Sequence, residues 1–168
     1  MTDGEDNGPM HANAALLRKL FAALREHDHL TMASCYHPKA RFRDIAFDLH
    51  GVEDIYDMWR MICTGDIRVK VEAVEADDRA GLVKLVDDYT ISRSRLSRKR
   101  HPVHNVIKSR FRFKDGLILR QDDDCDAREW ARQALGHGPF GFLAGRIRLM
   151  RSLVAKAKLA KFVGANPE

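Results

Sequence analysis

Between residues 67 and 124 four runs alternate apolar and polar side chains, separated by polar breaks. The runs are IRVKVEAVEA, AGLVKLVDDYTIS, VHNVIKSRFRF and LILRQDDD. A period of two puts alternate side chains on opposite faces, the signature of a strand. Short connections make successive strands antiparallel, and Asp115-Gly116 supplies a hairpin turn before the last. Between the second and third runs lies SRSRLSRKRHP, rich in bases and ending in proline, which reads as a long exposed hairpin tip. Four such strands form a sheet with an apolar face, and the rest of the chain has to cover it.

The cover is readable upstream. Leu17, Leu20, Phe21 and Leu24 fall at helical spacing after an Asn13 cap, predicting a helix over residues 14–26. A second, short helix over 30–36 is stopped at His37-Pro38, because a residue before proline is pushed out of the helical region. ARFRDIAFD then alternates as a strand, Gly51 breaks it, and Ile55, Met58, Trp59 and Ile62 restore helical spacing through Cys63. After the last strand, residues 127–135 put Trp130, Ala131 and Ala134 on one helical face and stop at Gly136. This order is an α+β class, with helices covering one face of a curved, mostly antiparallel sheet that can enclose a pocket.

Three segments follow: a disordered polar tail over 1–13, the α+β domain over 14–136, and a basic amphipathic helical extension over 137–168. The extension groups Leu149, Met150, Leu153, Val154, Ala157 and Ala160 on one side and Arg148, Arg151 and Lys158 on the other. It fits docking on the body or on a neighbouring subunit, or a weak contact with an anionic membrane surface. Phe140, Phe142 and Leu143, between glycines, could close a pocket mouth.

The net charge of +5 belongs to this extension: from Gly136 onward there are six bases and one acid, and the other 135 residues hold 23 of each sign. The body therefore has no electrostatic footprint for phosphates, and no nucleic-acid partner is expected. No apolar run approaches the ~20 residues of a membrane span. The start lacks the basic and apolar regions of a secretory signal, and the cysteines Cys35, Cys63 and Cys125 are odd in number and scattered. Both fit a reducing cytoplasm.

Alternation sorts side chains by face. Val83, Leu85, Tyr89 and Ile91 set an apolar phase that Asp87 shares, and Ile107, Phe111 and Phe113 set one that Asn105 and Ser109 share. His104, Lys108, Arg110 and Arg112 face the other way. Leu117 and Leu119 carry Gln121, Asp123 and Cys125 with them, and Phe42 carries Asp44. The inner surface then holds Asp44, Asp87, Asn105, Gln121 and Asp123 against a lining of Tyr36, Met58, Trp59 and Tyr89. Three carboxylates among apolar side chains must share protons, bind polar groups or serve chemistry.

YHPKARFRDIAF, Gly51 with Met58-Trp59 after it, DYTIS, PVHN, FRFKDG and DxxCDxxxWxRQALG together resemble the nuclear-transport-factor-two-like superfamily, in its SnoaL-like and limonene-epoxide-hydrolase-like branch, over residues 14–136. The resemblance implies a cone-shaped α+β fold, a homodimer, and a deep pocket for a small apolar molecule without cofactor or metal. Members include cyclases, ketosteroid isomerases, epoxide hydrolases and proteins without chemistry, so fold alone assigns no reaction. Asp87 and Asp123 match the two carboxylates of the epoxide hydrolases, and Asp123 the acid/base aspartate of the cyclases. Leu85 stands where the hydrolases place arginine, Phe42 and Asp44 where they place tyrosine and asparagine, and Gln121 where many relatives carry histidine.

Two readings follow. In the first, an enzyme moves protons on an apolar carbonyl or epoxide, with Asp123 as acid/base, Asp87 raising its pKa by repulsion, and Asn105, Tyr89 and Gln121 orienting the substrate. In the second, a carrier uses the same pocket without catalysis. The outer sheet face, with Val106 among Lys108 and Arg110, is the expected dimer surface. His27-Asp28-His29 lacks a third metal ligand at recognisable spacing, and Cys125 lacks a neighbour that would make it a thiolate.

Overall fold

The structure, a computed structural model, describes residues 10–92, 100–135, 157 and 159–165. Helices α1 (Ala12–Arg25) and α2 (His29–Ser34) lead into strand β1 (Tyr36–Arg43), then β2 (Asp48–His50) and helix α3 (Val52–Cys63). Strands β3 (Arg68–Ala76), β4 (Ala80–Ser92), β5 (Arg100–Lys114) and β6 (Leu117–Asp124) follow, and helix α4 (Ala127–Leu135) closes the set. The six strands form one curved sheet in the order β2-β1-β6-β5-β4-β3, with β1 and β6 parallel and every other pair antiparallel.

Strand β5 shows why the face assignments work. Its odd residues from His101 to Phe113 are buried or half-buried and its even residues from Arg100 to Lys114 are exposed, without interruption. Leu17, Leu20, Phe21 and Leu24 of α1 and Ile55, Met58 and Trp59 of α3 cover the inner side. Phe21 meets Phe111 edge-on at 6.3 Å, and Trp59 meets Phe42 at 5.6 Å. Burial of this apolar stripe against the sheet, more than helix propensity, holds the helices in place.

Several local expectations are corrected. Asn13 is not the cap of α1: His11 caps it, and Asn13 sits buried within the helix, its Nδ2 donating to the Asp77 carbonyl at 2.8 Å. Helix α2 ends before Tyr36, which already begins β1. The run 40–48 is not one strand, because the Asp44 carboxylate accepts from the backbone of Ala46 and Phe47 and turns the chain into β2. On β6 a register shift leaves Leu119 without a partner, so Ile118, not Leu117 or Leu119, is the wholly buried residue.

Residues 93–99 of the basic tip and residues 136–156, with the aromatic cluster and most of the extension, lie outside the described residues. Of the extension, residues 157 and 159–165 are helical. Leu159 is buried in the core and Val163 packs against it, while Ala157 and Ala160 are exposed. The inward side is thus one step round from the expected one. The Arg60 guanidinium lies over the Phe162 ring at 5.4 Å and over the Tyr56 ring, on its own helix, at 5.7 Å.

Candidate functional site

Three elements converge behind Asp123. Trp59 Nε1 on α3 donates to the Tyr36 oxygen at 3.2 Å, and the Tyr36 hydroxyl donates to Gln121 Oε1 at 2.6 Å. Gln121 Nε2 in turn donates to both oxygens of Asp123, each at 3.0 Å. Burial pushes the Tyr36 phenol well above its ordinary value, so it keeps the proton it donates. Its donation fixes the amide orientation and leaves Gln121 its NH2 group for Asp123.

Asp123 is itself half-buried and faces Ser109 across the β5–β6 pair. Burial raises its pKa to about 7; Ser109 and Gln121 pull the other way, and the charges of Asp44 and Asp87 add to the rise. The Ser109 hydroxyl is close enough to favour the charged carboxylate, yet Oγ has no partner in hydrogen-bond geometry and is fully buried.

A second polar cluster lies further along the same face. Asp87 pairs in register with Asn105 and is 8% exposed, and its Oδ1 is buried without a hydrogen-bond partner. Burial raises its pKa to about 7, with the Asn105 amide opposing. The Tyr89 oxygen accepts from Trp130 Nε1 at 2.7 Å and Asn105 Nδ2 at 3.3 Å. Both bonds use its lone pairs, so its proton is left for some other acceptor. Helix α4 is tied to the sheet here: the Gln133 amide bonds both the N–H and the C=O of His104, continuing β5's pairing past the end of β6.

The nine sequence-derived residues therefore divide by surroundings. Asp123 and Asp87 lie on strands separated by β5, four register positions apart, and burial rather than their mutual repulsion is the leading cause of each raised pKa. Tyr36, Trp59 and Gln121 are nearly inaccessible and satisfy one another. Met58 is wholly buried in the core, so no solvent-sized space reaches it. Asn105 and Tyr89 join Asp87, and Asp44 spends its Oδ1 on the turn while its charge still raises both other acids. Ser109, Trp130 and Gln133 join these clusters without having been site candidates: the sequence puts Ser109 in the inner phase and Trp130 on an apolar helix face, and a small polar residue in an apolar phase is the usable signal.

Other candidates sit elsewhere. The His104 ring faces outward and bonds Asp88 at 2.8 Å, and His27 bonds the Ile67 carbonyl at 2.8 Å. Burial pushes the Cys125 thiol up to about 12, which keeps it neutral and unreactive. Among the described residues no helix is long and apolar enough to cross a membrane.

A curved six-stranded sheet under helices, with polar groups on its covered face, defines the cone-like architecture of the nuclear-transport-factor-two-like superfamily. Within it, the chain belongs to the SnoaL-like domain family, whose model matches residues 17–121. An epoxide hydrolase of the limonene-epoxide-hydrolase-like kind from M. tuberculosis superposes with a TM-score of 0.61 at 18% identity, covering 80% of this chain and 89% of its own. A putative SnoaL-like polyketide cyclase from Shewanella putrefaciens gives 0.62 at 17%, covering 76% and 88%. TsrD from Streptomyces laurentii gives 0.63 at 18%, covering 75% and 96%. At these identities the likeness is one of fold. No curated protein matches the chain.

Proposed function

We propose that the protein performs cofactor-independent acid/base chemistry on a small, largely apolar molecule carrying a carbonyl or epoxide, with Asp123 as the proton-transfer group. The observation that carries this reading is the hold on Asp123: a carboxyl titrating at about 7, oriented through both oxygens by Gln121, which Tyr36 and Trp59 lock in turn. A group that titrates near neutral pH takes and returns a proton with little cost either way. On a carbonyl substrate the ionised Asp123 accepts the proton from the carbon next to the carbonyl, and the C–H electron pair moves into an enolate. The protonated acid then returns the proton at another carbon or at oxygen. Similarity to an epoxide hydrolase and a polyketide cyclase supports a small organic substrate. The active form is a cytoplasmic homodimer joined through the outer sheet face.

Leu85, 3% exposed, favours a second reading as a carrier, because an apolar side chain occupies the position of a polar group in the hydrolases. Turnover of an epoxide or ketosteroid-like panel decides between them. Turnover that disappears in Asp123→Asn while binding is retained identifies an enzyme; binding without turnover across the panel identifies a carrier.

A further inference from the structure

Where the last turn of α1 meets the start of β3, at the edge of the sheet, lies a groove of about 460 Å³. Arg25, His27, Asp66, Ile67, Arg68 and Val69 line it, and none of Asp44, Asp87 and Asp123 does. It is thus a different place from the acid-bearing inner face, and its volume falls within the ~300–1,000 Å³ of small-molecule sites.

Bonds between distant parts of the chain fix its walls. His27 stands at φ 55, a left-handed conformation that a β-carbon disfavours. Its Nε2 donates to the Ile67 carbonyl at 2.8 Å, which pins the turn after α1 to the start of β3. On the opposite wall Asp66 accepts from the Thr90 amide at 2.9 Å and from the Thr90 hydroxyl at 2.7 Å. Both carboxylate oxygens are therefore committed to β4. Val69 is 8% exposed and Ile67 half-buried, which gives the groove an apolar floor.

The cations around this floor are not neutralised. Arg25 and Arg68 are exposed, and neither has an ion-pair partner among the described residues. The aspartates nearest to them in chain or register have other partners: Asp66 bonds Thr90, Asp88 bonds the His104 ring at 2.8 Å, and Asp28 accepts from the Thr31 amide at 3.0 Å. The charge of Arg100 also bears on Asp66. Two guanidinium groups against one carboxylate leave room for a single negative charge, and a guanidinium fork matches the planar geometry of a carboxylate.

We infer that this groove is a second ligand site, for a small organic carboxylate whose charged end lies between Arg25 and Arg68 and whose short apolar body rests on Ile67 and Val69. A dianionic phosphate suits it less, because its additional charge meets Asp66. The site is independent of any reaction at Asp123.

The test is an NMR titration of the full chain with octanoate, acetate, 1-octanol and octyl phosphate, read on backbone amides. Octanoate should move the signals of Arg25, His27, Ile67 and Arg68 and leave those of Asn105 and Asp123 in place. Acetate lacks the apolar body and 1-octanol the charge, so each should bind at least about tenfold more weakly. Arg25→Gln and Arg68→Gln should each weaken octanoate up to about fivefold, the worth of an exposed ion pair, and more when combined. Arg18→Gln, on α1 but outside the groove, should leave it unchanged. Both groove arginines are exposed, so thermal unfolding of the variants should match the wild type and show that a loss of binding is a loss of contacts. Octanoate that shows no saturable binding, moves only inner-face signals, or binds the double variant as tightly as the wild type overturns the site. Octyl phosphate tighter than octanoate overturns the assignment to a carboxylate.

Discussion

The Tyr36 hydroxyl donates to Gln121 Oε1 at 2.6 Å, and this contact decides which end of the Gln121 amide meets Asp123. Without it the amide could turn and present its oxygen to the carboxylate. Gln121→Met removes the donor while keeping the volume, so the Asp123 pKa should rise above about 7. The sign follows from the bond, which favours the charged form. Carboxyl-carbon NMR reads the shift, and a value unchanged or lowered contradicts the relay.

Tyr36→Phe tests the same relay from its far end. It leaves Trp59 Nε1 without its acceptor and Gln121 Oε1 without its donor, both in a buried setting. Destabilisation of about 1–3 kcal/mol is expected in denaturant titration. Trp59→Phe in the Tyr36→Phe background should cost less than in the wild type, because the indole has already lost its partner there.

Gly81 of β4 lies directly beneath Leu17 of α1. A Cβ there would lie 2.8 Å from Leu17 Cδ1 and 3.0 Å from Phe113 Cζ. Gly81→Ala should therefore cost about 1–3 kcal/mol through overpacking against the buried Leu17 and against Phe113, outweighing the small gain from a stiffer unfolded chain, and Gly81→Val should cost more. Chemical denaturation of the pair checks the ordering.

The inner-face assignments on β4 and β5 were legible because each strand is long and its two faces differ, throughout β5 and over residues 83–87 of β4. Alternation fails where the backbone departs from it. The register shift at Leu119 flips the phase of Leu117 and Ile118, yet Gln121 and Asp123, on the far side of the shift, keep the predicted face. The Asp44 turn hid β2 inside one alternating run, since a side chain that bonds its own following backbone leaves no mark on periodicity. The parallel β1–β6 pairing and the relay from Trp59 through Tyr36 to Gln121 join residues up to 85 positions apart, and no local pattern carries them.

The outer face gives an oligomer prediction. Val106 is 60% exposed opposite Val86, among Lys108, Arg110 and Asp88. A dimer through this face should scatter light as twice the 19.2 kDa chain, and Val106→Arg should shift it to the single-chain mass. A wild-type protein of single-chain mass at micromolar concentration refutes the interface.

Asp87 makes stability depend on pH in a sense opposite to most carboxylates. Its ordinary value is 3.8 and burial raises it to about 7 in the fold. Between these values the unfolded chain has released the proton while the folded chain still holds it. The folded state then binds more protons, so stability falls as pH rises through this window. Below pH ~4 both states are protonated and there is no cost; above pH ~7 the cost is complete. At about 1.4 kcal/mol per pKa unit the ceiling is ~4 kcal/mol, reduced by any water that reaches the carboxyl. Asp87→Asn removes the titration while keeping the shape. Relative to wild type, its stability should therefore improve from pH 4 to pH 8 and level off beyond, in urea unfolding at fixed ionic strength. A difference that stays flat across this range means that Asp87 is ionised and solvated in the folded protein.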